Sequence, residues 1–326
     1  MAAAAGAGIS PAGAVIFRSM KLDRREFFTL TSVGAAGLLG VSRASVHAQQ
    51  PPPAAPKFED VRRNVGIFTM RGGTIGWLVN KEAVLVVDTQ YPDTAKACVD
   101  GLKQKTSNRG IDIVFNTHHH GDHTGGNPVF RAEARRLIAH KNVPALQKQF
   151  ASTAADAPAA VVADTTFDPV WREALGDERV SARHDGPGHT GGDVMIHFER
   201  ANVVHMGDLL FHERHPRVDR PAGASIQNWM KILERITAAT PADTIYIAGH
   251  ARDGMPVTVD RKAVLRFRDY FDAVLAFTRK GIATGQTKEA VAAAASLPGF
   301  ESYQGSGTVL TLGGVLTAAY EELSAR

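Results

Sequence analysis

Twelve residues, Asn116 to Asn127, read Asn-Thr-His-His-His-Gly-Asp-His-Thr-Gly-Gly-Asn, and no other stretch constrains this chain as tightly. They follow Ile111-Asp112-Ile113-Val114-Phe115, a short β-branched run that reads as a buried strand. The chain therefore leaves a strand and at once places His118, His120, Asp122 and His123 on a loop. In locally extended backbone, side chains at i and i+2 point the same way, so His118 and His120 can grip one ion. The same alternation turns His119 away. Gly121 lets the chain turn, which aims Asp122 and His123 at a second point. Imidazole and carboxylate are ligands zinc takes without help from cysteine.

Three further polar groups stand where strand patterns stop. His189 lies in the glycine-dense turn Gly186-Pro187-Gly188-His189-Thr190-Gly191-Gly192-Asp193. Asp208 follows a run that returns through Val203 to Met206, and His250 follows Thr244 to Ala248. Asp88 closes Ala83-Val84-Leu85-Val86-Val87, whose continuous apolarity marks a strand covered on both faces. Strand ends are where α/β sheets place their sites. Five histidines and two aspartates there suit two divalent ions with a coordination position left for water.

The order of the remaining elements supports an α/β chain. Strands are expected at 65–70, 74–79, 137–139 and 193–198, with helices over 92–102 and 143–150. Ser225 can cap a helix with Ile226, Trp229, Met230, Leu233 and Ile236 on its apolar face. Val264, Phe267, Phe271, Val274 and Thr278 mark a long amphipathic helix, and Val309, Leu312, Leu316, Ala319 and Leu323 a C-terminal one. Residues 151–165, rich in Ala, Asp and Pro, read as a surface insertion or lid. Cys98, the only cysteine, excludes an intrachain disulfide and falls on a helical pattern as a buried hydrophobe. His205 reads as strand-buried and structural, whereas His212 and His215 read as surface or pocket-rim residues.

His-x-His-x-Asp-His, Gly-Pro-Gly-His-Thr, Gly-Asp-Leu-Leu-Phe and Ala-Gly-His, in that order, resemble the motifs of the metallo-β-lactamase-fold superfamily. The resemblance spans most of residues 58–326 and implies a four-layer αββα sandwich in a single domain, with metals along one edge. It implies that His118, His120 and His189 hold metal 1, that Asp122, His123 and His250 hold metal 2, and that Asp208 bridges both. Asp88 would orient the loop through hydrogen bonds. The implied cofactors are two Zn²⁺ ions, with iron or manganese as other candidates. Water held between two cations loses a proton near neutral pH, and the hydroxide can attack a carbonyl while Asp122 orients it. The expected activity is hydrolysis of an ester, thioester or lactone. The alternatives are a β-lactamase and an iron-dependent oxidoreductase similar to the persulfide dioxygenases. Asp at position 208 is similar to glyoxalase II. Phe211 stands where Cys-type β-lactamases carry a basic residue, so their carboxylate clamp is absent and neutral substrates are expected to be preferred.

Residues 20–48 run from a basic stretch through a mildly apolar one to Val46-His47-Ala48, the order of an export signal. Asp23-Arg24-Arg25-Glu26-Phe27-Phe28 resembles the twin-arginine motif. The expectation is a signal peptide over 1–48, with Met20 a plausible true start. It implies the twin-arginine translocase as a transient partner, a periplasmic or secreted product, and no stable membrane anchor. Four prolines in residues 49–56 suggest a disordered linker over 49–57. Five of the 37 basic residues but only two of the 33 acidic ones fall in the first 48, so the body is nearly neutral. That balance argues against nucleic acid as a partner and leaves a small molecule as the substrate.

Overall fold

The computed structural model describes residues 55–151 and 159–325. The export signal, the linker up to residue 54 and the middle of the expected lid, 152–158, lie outside the described residues. Lys57, assigned above to the linker, instead opens the first strand.

Strands β1 (Lys57–Arg62), β2 (Val65–Thr69), β3 (Ile75–Val79), β4 (Val84–Val87), β5 (Ile111–Asn116), β6 (Ala134–His140) and β7 (Thr165–Phe167) lie side by side in chain order as one sheet. The first four pair antiparallel and the last four parallel. Helix α1 (Pro92–Thr106) makes the β4–β5 crossover. The short helices α2 (Gly121–Thr124) and α3 (Asn127–Arg131) fill the β5–β6 connection, and α4 (Val143–Gln149) follows β6. The second sheet contains β8 (Val170–Leu175), β9 (Glu178–Arg183), β10 (Met195–Phe198), β11 (Val203–His205), β13 (Ile245–Ile247) and β15 (Thr258–Val259). A small parallel pair, β12 (Phe211–His212) with β14 (His250–Ala251), stands apart. Helices α5 (Ile226–Ala239), α6 (Arg261–Ala283), α7 (Lys288–Ala292) and α8 (Leu312–Ser324) complete the chain.

Strand alternation sorts the apolar side chains into three layers. Leu85 and Val87 face the second sheet together with Ile113 and Phe115, and they meet Val180, Ile196, Val203 and Ile247. Val84 and Val86 point the other way, onto Ala95, Cys98, Val99 and Leu102 of α1. On the far sheet, Val204 and Tyr246 pack outward against Trp229, Phe267 and Phe271 of α5 and α6. Three apolar interfaces between four layers make the αββα sandwich that the motifs implied.

The elements follow the sequence pattern closely, with informative exceptions. The Ser225 hydroxyl caps α5 by accepting from Asn228 N. Glu322 of α8 accepts from Ser225 Oγ and Ile226 N at 2.8 Å, clipping the C-terminal helix onto the start of α5. Val309 is 54% exposed and precedes α8, so it is not part of that helix's buried face. The β8–β9 hairpin was not anticipated, although Gly176-Asp177 between two alternating runs carries its signal. His215, expected near the surface, is buried, and its Nδ1 lies 2.9 Å from the Tyr270 hydroxyl. Both sheets need this burial because neither can hide its outer face without the helices.

Candidate metal centre

The carboxyl ends of β4, β5, β11 and β13 meet along one edge of the sandwich, and this brings the candidate ligands together. His118, His120, His189 and Asp208 form one cluster of donors, and Asp122, His123 and His250 form another. In the first, His118 Nε2 and His189 Nε2 lie 3.1 and 2.9 Å from His120 Nδ1. In the second, His250 Nε2 lies 3.1 Å from Asp122 Oδ2 and 3.3 Å from His123 Nε2. Donors on a tetrahedral zinc with bonds of about 2.0–2.1 Å stand roughly 3.3 Å apart, close to these separations. Asp208 lies between the clusters. Its Oδ2 is 3.5 Å from His189 Nε2 and 3.9 Å from His118 Nε2, while its Oδ1 is 3.0 Å from His123 Nε2 and 3.5 Å from His250 Nε2.

Outer hydrogen bonds decide which way the lone pairs point. His189 Nδ1 donates to Arg217 O at 2.7 Å, His120 Nε2 to Asp219 Oδ2 at 2.7 Å, and His123 Nδ1 to Asp88 Oδ2 at 2.8 Å. The Thr117 hydroxyl gives its proton to Asp88 Oδ2, so it accepts from His118 Nδ1 at 3.0 Å. With those protons outside, the opposite nitrogens of His118, His120 and His189 present lone pairs inward, and that of His123 does so once its inner proton is displaced, the arrangement in which histidines bind metal. Lone pairs about 3 Å apart repel unless a cation or proton lies between them. Asp208 Oδ1 is buried, and apart from the displaceable inner protons of His123 and His250 nothing among the described residues donates to it. The donor set therefore fits divalent cations.

The backbone enforces this convergence. Asp88 sits at φ 65°, which turns its carboxylate back so that Thr117 N can donate to Oδ1 at 2.7 Å. Thr74 N and Oγ1 both donate to Gly249 O, at 2.8 and 3.0 Å, tying the first half of the chain to the residue before His250. A Cβ at Gly249 would fall 2.0 Å from Asp208 Oδ1, so only glycine allows that strand end to pass the carboxylate. Gly73 presses likewise on the His123 ring, 2.1 Å from where a Cβ would be.

Charge divides the histidines. Burial holds His118 well below the usual imidazole range and takes His189 down to about 3, so both are neutral. Burial opposes charge at His250 too, yet Asp208 and Asp122 raise it to about 9. His123 is buried as deeply, and Asp208, Asp122 and Asp88 raise it well above its ordinary value. In the metal-free protein these two rings hold protons that a cation must displace. Both rings become more fully protonated as pH falls, His250 below about 9, so apparent zinc affinity should rise with pH through that range. Competition titrations against a chelator across this range check the sign.

Some expectations change. His119 belongs to neither of these clusters: it is buried beside His120, with Nε2 3.8 Å from Asp219 Oδ2 and its ring 5.4 Å from that of Phe150. Phe211 is 1% exposed, lies beside His250 in the β12–β14 pair and stacks on its ring at 5.4 Å. Position 211 therefore supports a ligand from below and does not face substrate. His205 is structural, its Nε2 donating to Thr74 O at 3.1 Å. Asp219 and Arg217 were missed. Asp219 caps the turn Arg220–Ala222, which an Asp before Arg-Pro signals locally, but its reach to His120 is a tertiary event.

A family model described as the metallo-beta-lactamase superfamily matches residues 69–250. The hydroxyacylglutathione hydrolase of Methylococcus capsulatus is 33% identical over 177 residues, 52% of this chain and 61% of that protein. Metallo-beta-lactamase IND-1 of Chryseobacterium indologenes is 24% identical over 174 residues, 53% of this chain and 70% of that one. Against the hydroxyacylglutathione hydrolases of Methylococcus capsulatus and Rhodospirillum rubrum, the chain spans 61% and 57% of the relative's length. Among solved structures, the sec-alkylsulfatase Pisa1 from Pseudomonas sp. superposes with a TM-score of 0.62 at 15% identity, covering 82% of this chain and 50% of that one. A metallo-beta-lactamase from Pontibacter korlensis gives 0.55 at 16%, covering 67% and 99%. The family match contains all seven candidate ligands, and the sandwich places them on one edge: this chain belongs to the metallo-beta-lactamase superfamily.

Proposed function

We propose that this protein is a dinuclear zinc hydrolase acting on an ester, thioester or lactone. The observation that carries the reading is Asp208, whose two oxygens face separate donor clusters. His118, His120 and His189 would hold one ion, Asp122, His123 and His250 the other, and Asp208 would touch both. When bound, a pair of divalent cations supplies the charge that acidifies water and polarises a carbonyl. The remaining chemistry belongs to the chain. Asp122 is the most open of the seven, with its side chain 27% exposed. Burial favours its neutral form, but His123 and His250 hold its carboxyl well below the usual carboxylate range. An ionised carboxylate at the open side can hold the second ion through Oδ2 and orient water by accepting a hydrogen bond at its other oxygen. Asp219 and Asp88 keep His120 and His123 in the required tautomers.

Similarity to proteins named hydroxyacylglutathione hydrolase supports a thioester. The buried Phe211 supports the same choice, because no cation can clamp a lactam carboxylate from that position. On full-length zinc-loaded protein, kcat/KM for thioesters should exceed that for penicillins and carbapenems by at least about a hundredfold, close to 3 kcal/mol of barrier. Equal or faster lactam turnover in a substrate panel would reverse the ranking. One tightly held iron in elemental analysis would replace hydrolysis with the oxidoreductase reading.

A further inference from the structure

The turn between β2 and β3 brings a cation to the Asp122 side of the centre. Gly72 has φ 101°, and a Cβ there would lie 3.0 Å from Asp122 O and 3.2 Å from the Tyr91 ring. Gly73 N donates to Asp122 O at 3.0 Å, so the turn is fastened to the ligand loop itself. Arg71, next in line, stacks its guanidinium over Tyr91, with Cζ 4.2 Å from the ring centroid. Tyr91 is partly buried, and burial first, then the charge of Asp122, raise its hydroxyl above the usual range. Arg71 remains 57% exposed and gives one nitrogen, Nη2, to both oxygens of Asp93, at 2.7 and 2.9 Å. The stacking fixes the guanidinium's position and leaves more than half of the side chain exposed.

Resting on the hydrolase reading above, we propose that Arg71, held on the Tyr91 platform, is the subsite for a carboxylate of the substrate, and that Asp93 is its internal competitor. An exposed Arg–Asp pair is weak, so an incoming carboxylate exchanges with Asp93 at little cost. The expectation of neutral substrates rested on position 211 alone, and this subsite revises it. It selects acyl compounds that carry an anionic group at a distance from the reacting carbonyl. Lysine would not serve as well, because it lacks the planar face that stacks and the forked donors that grip a carboxylate.

The test is a binding experiment independent of turnover. Succinate, glutarate and adipate are titrated calorimetrically into the full-length zinc-loaded protein, each against the monocarboxylate of the same length. The second carboxylate should improve affinity about three- to tenfold at one chain length, the range of a charge-assisted contact at a partly exposed site. Arg71→Ala should erase that advantage, Arg71→Lys should recover only part of it, and Asp93→Asn should enlarge it about two- to fivefold by removing the competitor. Monocarboxylate affinity should be unchanged in all three, which shows the centre intact. No dicarboxylate advantage in the parent protein, or an advantage that survives Arg71→Ala but vanishes in Arg217→Ala, would overturn the assignment. Failure of the hydrolase reading would appear separately, as absent turnover in the substrate panel.

Discussion

Replacing Asp208 with alanine should lower bound zinc from about two ions per chain to fewer than one, and reduce kcat/KM for any hydrolysed substrate at least about a thousandfold. Both clusters lose a donor in this one change, because Oδ2 lies 3.5 Å from His189 Nε2 and Oδ1 lies 3.0 Å from His123 Nε2. The loss is electrostatic as well. Asp208 leads the influences that raise His123 and His250, so without it those rings shed their protons more readily and the site keeps less compensating negative charge. Asp208→Asn separates the two effects, since it retains shape and removes charge. His250→Ala should mainly empty the second cluster, leaving about one ion. Elemental analysis after gel filtration distinguishes these patterns, and two zinc ions retained in Asp208→Ala would remove the bridging role.

Trp229→Ala should destabilise the fold by about 3–5 kcal/mol, the usual cost of emptying a large aromatic site in a core. Trp229 is fully buried on α5, its ring centroid 4.7 Å from Phe271 and 5.8 Å from Phe267. Its Nε1 donates to Leu209 O at 2.8 Å, next to Asp208, and its ring lies 5.7 Å from that of His189. The indole thus supports the turn that carries the bridging carboxylate. Thermal unfolding should drop by roughly 10 °C in the metal-free protein, given about 2–4 °C per kcal/mol for a chain of this size. Trp229→Phe keeps most of the packing and loses the hydrogen bond, so it should cost only about 1–2 kcal/mol. A change in Trp229→Ala smaller than that of Trp229→Phe would show that the cavity collapses and that the turn stands without it.

Much of this protein could be read along the chain. The continuous apolar run of Val84 to Val87 and the helical spacing of Val264, Phe267, Phe271 and Val274 each depend on neighbours a few residues away. Backbone geometry repeats at that scale, so such elements appear in the sequence. The ligands His118, His120, Asp122 and His123 share one loop and were legible for the same reason. His189, Asp208 and His250 became legible because each stands by a glycine where the sequence pattern of a strand has stopped.

Other features depend on residues far apart in sequence. Asp219 lies 99 positions from His120, and only the packing of the sandwich brings its carboxylate to the ring nitrogen. Phe211 occupied a meaningful sequence position, but tertiary burial decided that it would support His250 and leave the substrate cleft to other side chains. Gly73 against His123, Thr74 against Gly249, and Arg71 above Tyr91 follow the same rule. The sequence by itself determined which donors exist and the loops that bear them, because spacing sets local direction. Tertiary packing decided the tautomers of His120, His123 and His189, because the oxygens of Asp219, Asp88 and Arg217 that fix them arrive from distant parts of the chain.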